Sequence, residues 1–236
     1  MTDHRAERIH AAIQSLPFFR GLPAGERQGL GTIAGVRDLQ RGEVLWTAGD
    51  PADQLTLIIH GRVKIVRHGD PSDVILEIFG PGEPVGAVAV YHRMPYPATA
   101  VALEPTALLT LPATEYFALL DRHPGLAKSL VGELTRLTLA LTRKLEDSRR
   151  QRVEARIAQL FLGLAERMGR SSPEGVLIPM HLSRQEVAEM IGTTVETAIR
   201  VLSRWGRERV LITGRDRFVI PSLAALRAIA DGRSDP

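Results

Sequence analysis

Residues 183–220 read SRQEVAEMIGTTVETAIRVLSRWGRERVLITGRDRFVI, and the pattern of this stretch decides the architecture. Ser183 with Glu186 three residues later is the spacing of a capping box, and Thr193 with Glu196 repeats it. Each box opens a helix, and Gly192 lies between them where a tight left-handed turn is needed. The first helix is about two turns long and turns Val187, Met190 and Ile191 to one side. In the second, Ala198, Val201, Leu202 and Trp205 fall on one arc and face a core. Glu196, Arg200, Ser203 and Arg204 gather opposite them. Two short helices joined at a glycine, the second polar and basic outward, make a helix-turn-helix. The run that follows predicts a β-hairpin around Gly214-Arg215-Asp216, a wing. The set implies a DNA reader. The plainer alternatives are a small helical subdomain with a solvated face, or a sensor module whose C-terminal domain docks a protein.

The composition is that of an ordinary soluble protein, and no catalytic motif points to an enzyme. The chain has 236 residues, 44% hydrophobic and 24% charged, which is enough for one large or two modest cores. Its net charge of +3 is unevenly placed. Residues 1–149 carry 16 Lys+Arg against 17 acids; residues 150–236 carry 14 against 10, and all 14 are arginine. The positive surplus sits with the reader, where phosphate binding needs it. There is no cysteine, which excludes a disulfide, a Cys-ligated zinc and an iron–sulfur cluster. The seven histidines (4, 10, 60, 68, 92, 123, 181) include no His-x-His pair, and there is no nucleophile elbow or phosphate-binding loop. No apolar run reaches the ~18–20 residues of a membrane span, and MTDHRAERIH has no signal-peptide core. A cytoplasmic protein with no membrane partner is expected.

Taken in order, residues 5–35 predict short helices with Ile9, Ile13 and Leu16 on one face. From Val36 short β runs are punctuated by Asp50-Pro51, Gly69-Asp70-Pro71 and Gly80-Pro81-Gly82, and a further β region covers 99–112. Short strands so evenly spaced predict a barrel or jelly-roll-like sandwich. A short helix over 113–120 is stopped by Pro124. A long helix follows over about 125–148. Leu130, Leu134, Leu137 and Leu141 step by 4, 3 and 4, a coiled-coil seam that predicts a homodimer. The same stripe would also serve packing within one domain. Arg170 to Gly175 reads as a loop, VLIPM as a strand, and Ser222 caps a last helix. The predicted division is 1–124, a sensor with N-terminal helices; 125–148, the dimerisation helix; and 149–236, the reader.

HLSRQEVAEMIGTTVETAIRVLSRW (181–205) resembles the winged helix-turn-helix of the Crp–Fnr superfamily of bacterial transcription regulators, and the whole chain fits that plan. The resemblance implies an α+β fold: an N-terminal β-roll (a cyclic-nucleotide-binding-like double-stranded β-helix), a long dimerisation helix and a C-terminal winged helix-turn-helix. It implies double-stranded DNA, a second copy of the chain and RNA polymerase as partners. Ser183, Arg184 and Gln185 would hold phosphates, while Thr194, Glu196, Ile199, Arg200 and Arg204 face the groove. Arg200 can pair with guanine and Glu196 with a cytosine amine. Val195 stands where the catabolite activator has an Arg, and VET matches the Fnr-like branch. Ile199 replaces that branch's usual Ser, so a thymine methyl becomes its natural contact. The expected site is an inverted repeat near TTGAT-N4-ATCAA.

In cyclic-AMP-binding relatives a Gly-Glu pair holds the ribose and an Arg-Ser pair the phosphate. Those places fall here on Gly86-Ala87 and Pro97-Ala98, with Thr99 next. The adenine-binding Thr falls at Leu141, beside Thr142. A buried phosphate without an Arg is an uncompensated charge, so cyclic AMP is not the expected ligand. An apolar or redox ligand, haem among them, is the other reading, with His92 and Met94 in a loop as possible ligands. Against it, a lone loop histidine is usually solvated or hydrogen-bonded.

Overall fold

The computed structural model describes residues 2–70, 72–128, 131, 132, 135, 138 and 152–232. Contact density divides the chain into Met1–Thr138 and Leu139–Pro236. The first begins with α1 (Thr2–Ser15), a 3-10 turn (Pro17–Phe19) and α2 (Ala24–Leu30). Strands β1 (Gly35–Leu39), β2 (Val44–Trp46), β3 (Gln54–His60), β4 (Val63–Arg67), β5 (Val74–Phe79) and β6 (Pro84–Val85) follow. Then come α3 (Ala87–His92), β7 (Thr99–Ala102), β8 (Thr106–Pro112) and α4 (Ala113–Arg122). His123 breaks the helix, and Pro124 opens the next, as a residue without an N–H can at a first helical position. Leu130, Leu134, Leu137, Leu141 and Thr142, and with them the predicted seam, lie outside the described residues.

The eight strands form two antiparallel four-stranded sheets, ordered β1-β8-β3-β6 and β2-β7-β4-β5. Strand β3 shows why they face one another. Its alternate side chains go to two cores, so four consecutive residues, Leu55 to Ile58, are all buried. Ile58 joins Leu39, Trp46, Val63, Phe79, Val85, Ala100 and Leu108 in the roll interior between the sheets. Leu55 and Leu57 face the other way, with Leu109 and Leu111, and meet Ile9, Ile13, Leu16, Phe19, Tyr116 and Leu119 of the helices. Burying a Leu fully contributes ~1.5–3 kcal/mol, so the helices are held to the outer sheet by several such terms. The predicted face of Ile9, Ile13 and Leu16 is the one that docks.

Two details differ from the sequence reading. Residues 87–92 form a helix, not part of a loop, because Gly86 (φ 72°) and Arg93 (φ 51°) both turn left-handed at its ends. The β region of 99–112 is two strands of different sheets, parted at Leu103-Glu104-Pro105.

The second unit comprises α5 (Val153–Met168), β9 (Arg170–Ser172), β10 (Gly175–Ile178), α6 (Arg184–Ile191) and α7 (Val195–Arg207). It ends with β11 (Ile212–Thr213), β12 (Phe218–Ile220) and α8 (Leu223–Ala230). The stretch 170–172, read as loop, is instead an edge strand. Its polar residues carry no strand signal of their own, and pairing with β10 makes the strand: Ser172 opposes Gly175 and its hydroxyl donates to the Gly175 carbonyl at 2.8 Å. The sheet order is β11-β12-β10-β9. Ile157, Phe161, Leu164, Ile178, Trp205, Phe218 and Leu226 are all buried, with the Phe161 and Phe218 rings 4.8 Å apart.

Candidate functional site

The first helix of the reader starts as its spacing predicts. Ser183 accepts from the Glu186 N–H at 3.1 Å, while the Glu186 carboxylate accepts from the Ser183 N–H at 2.8 Å: a complete capping box. Gly192 ends α6 at φ 64°. Val187, Ala188 and Ile191 are buried, with Met190 half-buried. Arg156 of α5 donates to the Ile191 carbonyl at 2.9 Å, satisfying one orphan acceptor of that helix end.

The second cap sits one residue later than Thr193. Thr194 is the N-cap of α7 and accepts from the Thr197 N–H at 3.3 Å, so Glu196 is not at a box position. Its carboxylate, freed from capping, is exposed. Ala198, Val201, Leu202 and Trp205 are buried as the wheel predicts. On the opposite side Glu196, Ile199, Arg200 and Ser203 are exposed, Ile199 by 45%. Arg200 has no hydrogen-bond or ion-pair partner among the described residues.

Arg204 stands apart from that group. Its guanidinium donates to Glu154 of α5 at 2.8 Å and lies 3.8 Å from Glu208. The hydrogen bond and charge of Glu154 raise its pKa further. Arg204 thus ties α7 to α5, a role the wheel did not show. Gln185 is exposed and donates to Glu189 at 2.7 Å. Arg184, half-buried, donates through Nη2 to the Thr213 hydroxyl at 3.3 Å. The wing is present: Ile212 and Thr213 pair with Val219 and Phe218, closed by the Gly214 N–H donating to the Arg217 carbonyl at 2.8 Å.

Beside Gly86 in the roll stand two side chains whose importance the sequence did not show. Trp46 and Tyr96 stack with centroids 3.8 Å apart and planes 8° from parallel. Trp46 donates Nε1–H to the Ala98 carbonyl at 3.1 Å, and Tyr96 donates its hydroxyl to the Gln54 carbonyl at 3.3 Å. Burial, with a smaller contribution from Asp53, pushes the Tyr96 phenol up to about 12. Gly86 lies against both rings. Ala87 and Ala98 are buried methyls, and Thr99 is buried with its hydroxyl accepting from the Ala48 N–H at 3.2 Å. Pro97 is exposed and has no N–H to offer. These positions therefore supply neither a carboxylate for a ribose nor a cation for a phosphate. His92 is exposed at the last residue of α3, its ring edge-on to Tyr91 at 5.5 Å. Among the described residues no three His, Cys, Asp or Glu side chains group as a metal site.

Known proteins share both halves. A cyclic nucleotide-binding domain matches residues 36–123, and a Crp-like helix-turn-helix domain matches 155–229. The transcriptional regulatory protein btr of Bordetella pertussis is 30% identical over 89% of this chain and 87% of its own. The chain is a Crp–Fnr superfamily transcription regulator. The cyclic AMP receptor protein of Thermus thermophilus is a similar relative, 29% identical over 92% of this chain and 97% of its own. Among solved structures, a CooA variant from Carboxydothermus hydrogenoformans superposes with a TM-score of 0.73, covering 86% of this chain and 90% of that one at 19% identity. That likeness bears on the fold. As the sequence led one to expect of the Crp–Fnr plan, an N-terminal roll precedes a winged helix-turn-helix.

Proposed function

We propose that this Crp–Fnr regulator acts as a homodimer on an inverted repeat, under a signal other than a cyclic nucleotide. One observation carries the DNA reading: Glu196, Ile199 and Arg200 stand exposed together on α7 while its other face is buried. An Arg and a Glu one helical turn apart can address neighbouring base pairs in the major groove, and Ile199 can touch a thymine methyl. The expected half-site is TTGA(T/C), spaced as TTGAT-N4-ATCAA. Two-fold DNA sites call for two readers, and the leucine stripe at 130, 134, 137 and 141 is the natural means of pairing them. RNA polymerase is the partner such a regulator would address once on DNA.

The signal reading rests on the roll. With Ala87, Pro97 and Ala98 at the ribose and phosphate places, a cyclic nucleotide would bury its charge there without a cation to compensate it. Within the Trp46–Tyr96 stack the indole N–H and the phenol hydroxyl are both committed to backbone carbonyls of the protein. His92, exposed and beside a tyrosine rather than facing the roll interior, gains no support here as a haem ligand. Binding of the signal would bias the relative pose of the two readers. A site selection from random duplexes tests the reading: recovery of the inverted repeat supports it. Recovery of no sequence, with capture of a protein by residues 149–236, favours the docking alternative. Calorimetric binding of cyclic AMP or cyclic GMP at micromolar affinity would overturn the signal reading.

A further inference from the structure

Two arginines of the reader are held in opposite ways. Arg204 is compensated by Glu154 and Glu208. Arg184, first residue of α6, is half-buried, and the contact recorded for its guanidinium is with a neutral hydroxyl, Thr213 Oγ1 at 3.3 Å. No carboxylate lies within ion-pair distance of it among the described residues. The nearby Glu186 carboxylate accepts from the Ser183 N–H and hydroxyl. Burial alone holds the Arg184 pKa below its ordinary value, the mark of a cation removed from water without an anion beside it. Such a charge is stabilised when an anion arrives, and a guanidinium meets a phosphate oxygen with charge-assisted hydrogen bonds.

Thr213 is placed to take part. It is the last residue of β11, exposed and paired with the buried Phe218, so the hairpin fixes its backbone. Its oxygen accepts from Arg184, which leaves its own O–H free to donate elsewhere. We propose that Thr213 is a positioning residue for the phosphate contact of Arg184, the two forming a clamp on one phosphodiester group of the DNA backbone. Arg184 supplies the charge from α6. Thr213 steadies the guanidinium from the wing and adds one neutral donor. The clamp joins the helix-turn-helix to the wing through 29 residues of sequence separation. It rests on the DNA reading above, and as a backbone contact it carries affinity without sequence preference.

The test uses the full chain, fluorescence anisotropy, a duplex bearing the inverted repeat and a scrambled duplex, across a potassium chloride series. Thr213→Val keeps the β-branched shape of an exposed strand residue and removes the hydroxyl. It should weaken both duplexes alike, about three- to tenfold, while thermal unfolding stays at the wild-type temperature. Thr213→Ser should restore binding to within about twofold, since it keeps the hydroxyl. Arg184→Ala should lower the salt slope by about 1. In that background Thr213→Val should add less than about a twofold loss, because the two act as one unit. A full additional loss in the Arg184→Ala background overturns the clamp, as does a Thr213→Val protein that binds both duplexes like wild type. Wild-type protein that binds neither duplex overturns the DNA reading and the clamp with it, and is recognised by that result alone.

Discussion

Gly86 is the point where backbone conformation and roll packing meet, and Gly86→Ala tests both. At φ 72° an L-residue is strained by ~1–2 kcal/mol. A β-carbon there would lie 2.6 Å from Tyr96 Cε1 and 2.9 Å from Trp46 Cη2, inside van der Waals contact. The rings cannot slide freely, since Trp46 is hydrogen-bonded to the Ala98 carbonyl and Tyr96 to that of Gln54. Overpacking of this kind costs ~1–3 kcal/mol, so Gly86→Ala should destabilise by ~2–5 kcal/mol in all. Gly192 is the control. Its φ is 64°, but a β-carbon there meets nothing within 4 Å, so Gly192→Ala should cost only the backbone strain of ~1–2 kcal/mol. Urea unfolding can follow each change separately, because the chain's two tryptophans, Trp46 and Trp205, fall one in each unit. Trp205→Phe leaves Trp46 to report on Gly86→Ala, and Trp46→Phe leaves Trp205 to report on Gly192→Ala. If the two glycine changes cost the same, or if Trp46 emission is unmoved by Gly86→Ala, the aromatic stack does not press on this backbone and the packing argument is refuted.

Three further outcomes are expected. Arg200→Ala should cost ~1–3 kcal/mol of DNA binding and relax the preference for guanine, checked by selection with the variant; an unchanged preference would remove Arg200 from base reading. Leu134→Glu with Leu137→Glu should run as a monomer in light scattering and lose the inverted repeat, since buried charges cannot hold a seam; a dimer would assign the stripe to internal packing. Glu26 accepts from Arg122 at 3.2 Å and lies 3.4 Å from His123, which together hold its carboxyl below the ordinary carboxylate range, Arg122 foremost. A depressed carboxyl contributes stability above its unfolded pKa and loses it as pH falls through the folded value. Glu26→Gln should therefore lower Tm at neutral pH, with the gap to wild type closing through the acid range; a gap independent of pH would refute the pairing.

What could be read from the sequence was what neighbours in sequence decide. Ser183 and Glu186 form their box because both ends lie within one helical turn, so spacing alone suffices. Where two local answers were equally good, spacing could not choose. Thr193 and Thr194 are both sound caps, and the left-handed turn at Gly192 is what delivers the Thr194 hydroxyl to an N–H. The helix at AVAVYH was hidden because alanine alternating with valine reads as well for strand as for helix. Its ends are set by Gly86 and Arg93, and Gly86 in turn sits against rings from residues 46 and 96. Strand β9 has no strand residues and exists through its partner. Arg204 makes the sharpest case. A helical wheel correctly puts it away from the apolar arc, on the side shared with Arg200. It says nothing of Glu154, 50 residues earlier, which takes one arginine for structure and leaves the other for solvent or DNA. Arg184 and Thr213 invert that relation: there the distant partner is neutral, and the charge remains available. Which basic residues of a reader remain available to an anion thus depends on where the acids are, and that is a property of the fold.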